Sequence, residues 1–162
     1  IEKHLRRGDF FLDVGTGSGI LMIAAAKLGA GKLCGIDKDD VALEVAGKNL
    51  KLNRIDPNRY QLAAGNLVAE IKESYRFVVA NLFTHVILEL LQDIKGVLAA
   101  EGMLVCSGIV LESQQSVISE LERLGFEILD REIEEEWVAI AGRLKAKGER
   151  WKVKGERLKV EG

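Results

Sequence analysis

Residues 13–19 read Asp-Val-Gly-Thr-Gly-Ser-Gly, an acid followed by three glycines at alternate positions. Such a loop, set between two apolar runs, serves a phosphate, a nucleoside or only a tight turn. A dinucleotide fingerprint spaces its glycines GxGxxG, the third placed for close packing of helix on strand. Here Gly15, Gly17 and Gly19 give GxGxG, so the third comes one residue early. Asp13 adds a charge that repels a pyrophosphate and pairs, directly or through water, with an ammonium. The loop, with Gly15, Thr16, Gly17 and Gly19, therefore calls for an amine-bearing ligand without phosphates. Roughly 20 residues on, Asp37 ends a second apolar run, where a carboxylate can accept hydrogen bonds from both hydroxyls of a ribose. An amino acid joined to a nucleoside satisfies both ends, and S-adenosylmethionine is such a molecule. Its methionine portion would lie on the loop, its ribose at Asp37, and its adenine near Lys38 and Asn66, whose amide both donates and accepts.

The fourth apolar run ends at Asn81 in "ANLF". Methyl transfer is an in-line displacement on carbon that depends on holding an aligned nucleophile close, and it requires no metal. The Asn81 side-chain carbonyl and the neighbouring Leu82 backbone carbonyl can accept hydrogen bonds from an amine and turn its lone pair toward the methyl. These positions also have plainer uses: the glycines as turn residues, Asp37 as a helix cap, Asn66 as a turn residue, Asn81 as the start of a helix. His85 reads as a surface or supporting histidine with general-base chemistry as the alternative. Trp137 reads as core or edge packing in the hairpin, with stacking on a ligand as the alternative, and Cys34 and Cys106 as core residues.

These residues need elements to carry them. Short apolar runs at residues 10–15, 32–37, 60–66, 75–81 and 102–109 alternate with helix-forming stretches, the weakest of which is "LVAEIKES" at 67–74, one or two turns at most. Asp39 or Asp40 is the expected cap of the second helix. Strand-helix alternation demands a parallel sheet covered on both faces, because parallel strands need crossover connections. After a last helix, residues 126–144 hold two strand-like runs with no helix between, which implies an antiparallel hairpin. The expectation is an α/β, Rossmann-like doubly wound seven-stranded sheet, mostly parallel, with a C-terminal antiparallel hairpin. In such sheets ligands bind past the carboxyl ends of the strands, where Asp13, Asp37, Asn66 and Asn81 all fall.

Composition narrows the field further. A chain of 162 residues with formal net charge -2 supports one domain and gives no general attraction to nucleic acid or anionic membranes. Two cysteines outside any CxxC or Cys/His spacing argue against structural zinc and disulfides and fit a reducing cytoplasm. No run is long enough for a membrane span. The start at Ile1 suggests an excerpt of a longer protein. The tail carries GERWKVK followed by GERLKVE, a charged seven-residue repeat. It reads as a disordered appendage, with a nucleic-acid arm opposed by its interspersed glutamates.

The stretches "FLDVGTGSGILMIAAAKLGAGKLCGIDKDDVALEVAGKNLKLN", "VVANLFTHVILELL", "GMLVCSGIV" and "EWVAIAGRL" together resemble the catalytic domain of the PrmA family. That family methylates protein eleven of the large ribosomal subunit. The resemblance covers residues 8–144. It implies a seven-stranded fold and methyl transfer from S-adenosylmethionine to lysine side-chain and N-terminal amines of a ribosomal protein. It also implies cofactor contacts at Gly15, Asp37 and Asn81, and in the family a substrate-recognition domain lies upstream. Residues 1–144 are thus expected to form the catalytic domain and 145–162 the tail. The alternatives are another acceptor for the same cofactor (a glutamine amide, a nucleic-acid base or a small molecule), or a cofactor-binding module without turnover. A nicotinamide dehydrogenase is opposed by the glycine spacing and by Asp13.

Overall fold

The computed structural model describes residues 1–146, so the repeat tail and Trp151 lie outside the described residues. Every residue of the first strand, β1 (Phe11–Val14), is buried, because it is central in the sheet and packed on both faces. Parallel to it run β2 (Leu33–Asp37), β3 (Tyr60–Ala64), β4 (Tyr75–Asn81) and β5 (Leu98–Val110). The last two strands, β6 (Phe126–Glu134) and β7 (Trp137–Leu144), form an antiparallel hairpin whose second strand inserts beside β5. The order is β3-β2-β1-β4-β5-β7-β6, the expected seven-stranded mixed sheet. It reverses direction of growth between β1 and β4, and that reversal opens a crevice past Val14 and Asn81.

Alternation along the strands divides the core into two faces. Leu12, Val14, Ile36, Val78, Ala80 and Leu104 pack with Ile87, Leu90 and Ile94 of α3 (Thr84–Val97) and with Val117 and Leu121 of α4 (Gln114–Arg123). Phe11, Leu33, Phe77 and Val79 pack with Met22 and Ala25 of α1 (Ile20–Lys27) and with Leu50 of α2 (Asp40–Leu52). Both cysteines are buried and unpaired, as core residues.

Asp39 caps α2, its carboxylate accepting from the Val41 amide at 2.9 Å. Removing one such cap costs about 1 kcal/mol, so Asp39→Ala should lower the unfolding free energy by that amount in a urea titration without affecting the other helices.

One expected helix is absent. Residues 67–70 form turns and 71–74 an irregular stretch, not a helix, between β3 and β4. Leu67 takes a positive φ of 58°, and the Ile71 amide closes a turn onto the Val68 carbonyl at 3.0 Å. So short a stretch makes too few intrahelical bonds to offset nucleation, and burying Val68 and half-burying Ile71 against the core decides its shape. Among the described residues no helix is long and apolar enough to cross a membrane.

Candidate active site

The glycine loop leaves β1 through three left-handed residues, with φ of 73° at Gly15, 51° at Gly17 and 77° at Gly19. A side chain at each would cost about 1–2 kcal/mol in backbone strain alone. Four of the loop's amides are already committed: Gly15 and Thr16 donate to the Ile36 carbonyl at 2.8 and 2.9 Å, Gly17 to the Asp37 carboxylate at 2.9 Å, and Gly19 to the Thr16 carbonyl at 2.8 Å. Such a loop is not an anion nest, which is a physical reason, beyond glycine spacing, to set phosphate aside.

Asp13 is 1% exposed, and its Oδ2 accepts from the Thr16 hydroxyl at 2.8 Å. Among the described residues, its Oδ1 has no hydrogen-bond partner. Burial pushes its carboxyl up from 3.8 to about 6; the Thr16 hydrogen bond opposes this rise and the nearby Asp37 charge adds to it. Asp37, by contrast, is only half-buried. One oxygen holds the Gly17 amide and the other accepts from the Asp39 amide at 3.1 Å, so this carboxylate ties the loop to the start of α2. The capping of α2 itself falls to Asp39, which frees Asp37 from the plainer reading as that helix's cap.

The strand ends enclose a cleft of about 600 Å³, within the range that small-molecule ligands occupy. Gly15, Asp37, Lys38, Asn66, Asn81 and Leu82, all predicted from sequence, line it. Asp13, Thr16, Gly17 and Gly19 do not; they shape the loop instead. Thr16 is buried against Asp13, and a Cβ at Gly19 would come 3.1 Å from the Ala46 Cβ, so Gly19 serves the packing of α1 on α2. The Ser18 carbonyl is held in turn by the Asn49 side-chain amide at 2.8 Å. His85 is exposed, stacked on Phe83 with ring centroids 6.3 Å apart, and is outside the cleft lining.

Among the cleft residues that were not expected to line it are Trp137, Ser107 and Gly108. Trp137, assigned to hairpin packing, is 42% exposed and forms part of the cleft wall, because β7 runs antiparallel beside β5 and starts at the ligand end of the sheet. Ser107 and Gly108 sit where β5 bulges: its pairing with β7 shifts between Cys106 and Ile109. The Ser107 carbonyl accepts from the Leu82 amide at 3.1 Å. Gly108 has φ 79°, and a Cβ there would meet the Leu82 carbonyl oxygen at 2.5 Å and Asn81 Oδ1 at 3.2 Å. A glycine inside a strand-like run is the signal that could have exposed this close approach. Val110 also donates to the Thr84 hydroxyl at 3.1 Å, which fastens the start of α3 to β5. The Asn81–Leu82 corner is therefore held from two sides.

The family model for ribosomal protein L11 methyltransferase (PrmA) matches residues 1–145. The ribosomal protein L11 methyltransferase of Desulforapulum autotrophicum is 43% identical over 144 residues, which cover 89% of this chain and 48% of that protein. That of Pelotomaculum thermopropionicum is 40% identical over 146 residues, covering 90% and 47%. The chain thus spans about half the length of the curated relatives it matches. The crystal structure of ribosomal protein L11 methylase from Lactobacillus delbrueckii subsp. bulgaricus superposes with a TM-score of 0.85 at 30% identity, over 89% of this chain and 74% of that one. A tRNA m1G37 methyltransferase from M. jannaschii shares the fold alone, with a TM-score of 0.76 at 20% identity over 90% and 47%. With matching sequence from residue 1 to residue 145 and the same seven-stranded frame, the chain belongs to the ribosomal protein L11 methyltransferase (PrmA) family.

Proposed function

We propose that residues 1–144 are the catalytic domain of a protein N-methyltransferase that moves methyl groups from S-adenosylmethionine to lysine and N-terminal amines of ribosomal protein L11, in the cytoplasm. The observation that carries this reading is the meeting, in one cleft, of the glycine loop, an acid at the end of β2 and the Asn81–Leu82 corner at the end of β4.

The residues present fit the cofactor. Asp37 would take the ribose hydroxyls, Lys38 and Asn66 would flank the adenine, and Ile36 and Leu67 supply apolar wall. The unpartnered Oδ1 of Asp13 would face the methionine ammonium through the loop, as a fixed charge beneath Gly15 and Thr16. When bound, S-adenosylmethionine supplies a methyl group activated by a sulfonium leaving group. Asn81 Oδ1 and the Leu82 carbonyl accept hydrogen bonds from the acceptor amine and orient its lone pair into the cleft. An acceptor arriving as ammonium loses its proton to water at the cleft mouth, since His85 does not line the cleft.

Calorimetric titration of the chain with S-adenosylhomocysteine tests the cofactor, and labelled transfer to purified L11 tests the acceptor. Asp37→Ala should weaken S-adenosylhomocysteine binding roughly tenfold, because a charge-assisted bond to the ribose is lost and the Gly17 amide loses its acceptor. Unchanged affinity would remove Asp37 from the ribose site, and label found only in RNA would overturn the protein acceptor.

A further inference from the structure

Beside the cleft lies a second hollow of about 580 Å³, between the start of α3 and the start of α4. Its floor and walls come from Phe83, His85, Leu88, Val110 and Ser116, and it meets the cleft at Phe83 and Gly108, which line both. Phe83 is 67% exposed, a large apolar area to leave in water at the mouth of a site.

The charge around it has one dominant sign. Its lining residues include no lysine or arginine, and Glu89 and Glu112, next in sequence to the lining residues Leu88 and Ser113, are exposed. The Leu111 amide donates to the Glu136 carbonyl at 2.9 Å, so the acidic turn of the β6–β7 hairpin is fixed against the same wall. Arg131, on β6, is turned to the Gln114 side chain at 3.2 Å. An apolar floor with an acidic surround suits an extended cationic peptide and opposes a nucleic-acid backbone.

We propose that this groove is the docking surface for the segment of the acceptor polypeptide that flanks the methylated amine. The inference rests on the proposed function, and its occupant follows from continuity: a chain lying in the groove delivers a side chain past Phe83 and Gly108 to the Asn81–Leu82 corner. Apolar neighbours of the amine rest on Phe83, Leu88 and Val110, and cationic neighbours face Glu89, Glu112 and the hairpin turn.

The test uses the full chain saturated with S-adenosylhomocysteine and a fluorescent synthetic peptide with a lysine flanked by valine, leucine and arginine. Glu112→Lys and Ser116→Arg place cations on an exposed wall outside the cleft. Each should weaken peptide binding roughly tenfold, with S-adenosylhomocysteine affinity and melting temperature unchanged. Peptide affinity unchanged in both variants, or no peptide binding to the unsubstituted chain, overturns the groove while leaving the cofactor reading intact. A single-stranded oligonucleotide that displaces the peptide also overturns it. Failure of the unsubstituted chain to bind S-adenosylhomocysteine overturns the proposed function, and the groove with it.

Discussion

Gly108→Ala is expected to reduce methyl transfer roughly a hundredfold while S-adenosylhomocysteine affinity changes little. Gly108 holds a left-handed φ of 79°, and the new methyl carbon would fall 2.5 Å from the Leu82 carbonyl oxygen and 3.0 Å from its carbon. These are backbone atoms, so no side-chain rotation relieves the contact. The bulge in β5 must flatten or the Asn81–Leu82 corner must move away, and that corner is the one proposed to orient the acceptor amine. Displacing a positioning group by about 1 Å costs on the order of a hundredfold in rate. The same strain should lower stability by about 2 kcal/mol in urea unfolding, a readout independent of activity. Asp37 and Lys38, proposed to hold the ribose and flank the adenine, lie at the end of β2 and away from the bulge, so most of the cofactor's contacts should be spared. A normal kcat with normal stability would show that the bulge absorbs the methyl group and does not position the corner.

Asp13→Asn is expected to do the reverse, raising the stability of the ligand-free chain while weakening cofactor binding. Burial raises the folded-state pKa from 3.8 to about 6, so between those values the native state binds the proton that the unfolded state has released. The contribution of this group to stability is complete below 3.8, is lost as pH rises through about 6, and stays lost above it. An amide removes the buried charge but leaves a polar atom to satisfy, so the net gain should be about 2 kcal/mol at about pH 8. The gain should vanish below about pH 4, where the carboxyl is neutral in both states. Urea titrations of both proteins at the two pH values check the sign. On the proposed reading an ammonium ligand at the loop offsets the cost of this buried charge; equal stability of the two proteins at about pH 8 would remove that account.

Much of this molecule was legible in its sequence because the controlling interactions are local. The central strands show as apolar runs because they are covered on both faces, and the three glycines signal a left-handed turn that other residues resist. Asp37, Asn66 and Asn81 end their strand-like runs or closely follow them, and in a parallel sheet strand ends gather at one edge. The stretch at 67–74 misled because its helix-forming composition is too short to decide against the burial of Val68. Trp137 misled because a position within a hairpin does not reveal which end of the sheet that hairpin starts from.

By itself, then, the sequence determined which residues end the strands, where the chain turns left-handed and which family it joins, since these depend on side-chain period, turn chemistry and residue order. Only the tertiary structure decided that Asp13 pairs with Thr16 beneath the loop, that Gly108 braces the Asn81–Leu82 corner and that Trp137 walls the cleft. Those contacts join residues on different elements, and they follow from strand order, register and a single bulge.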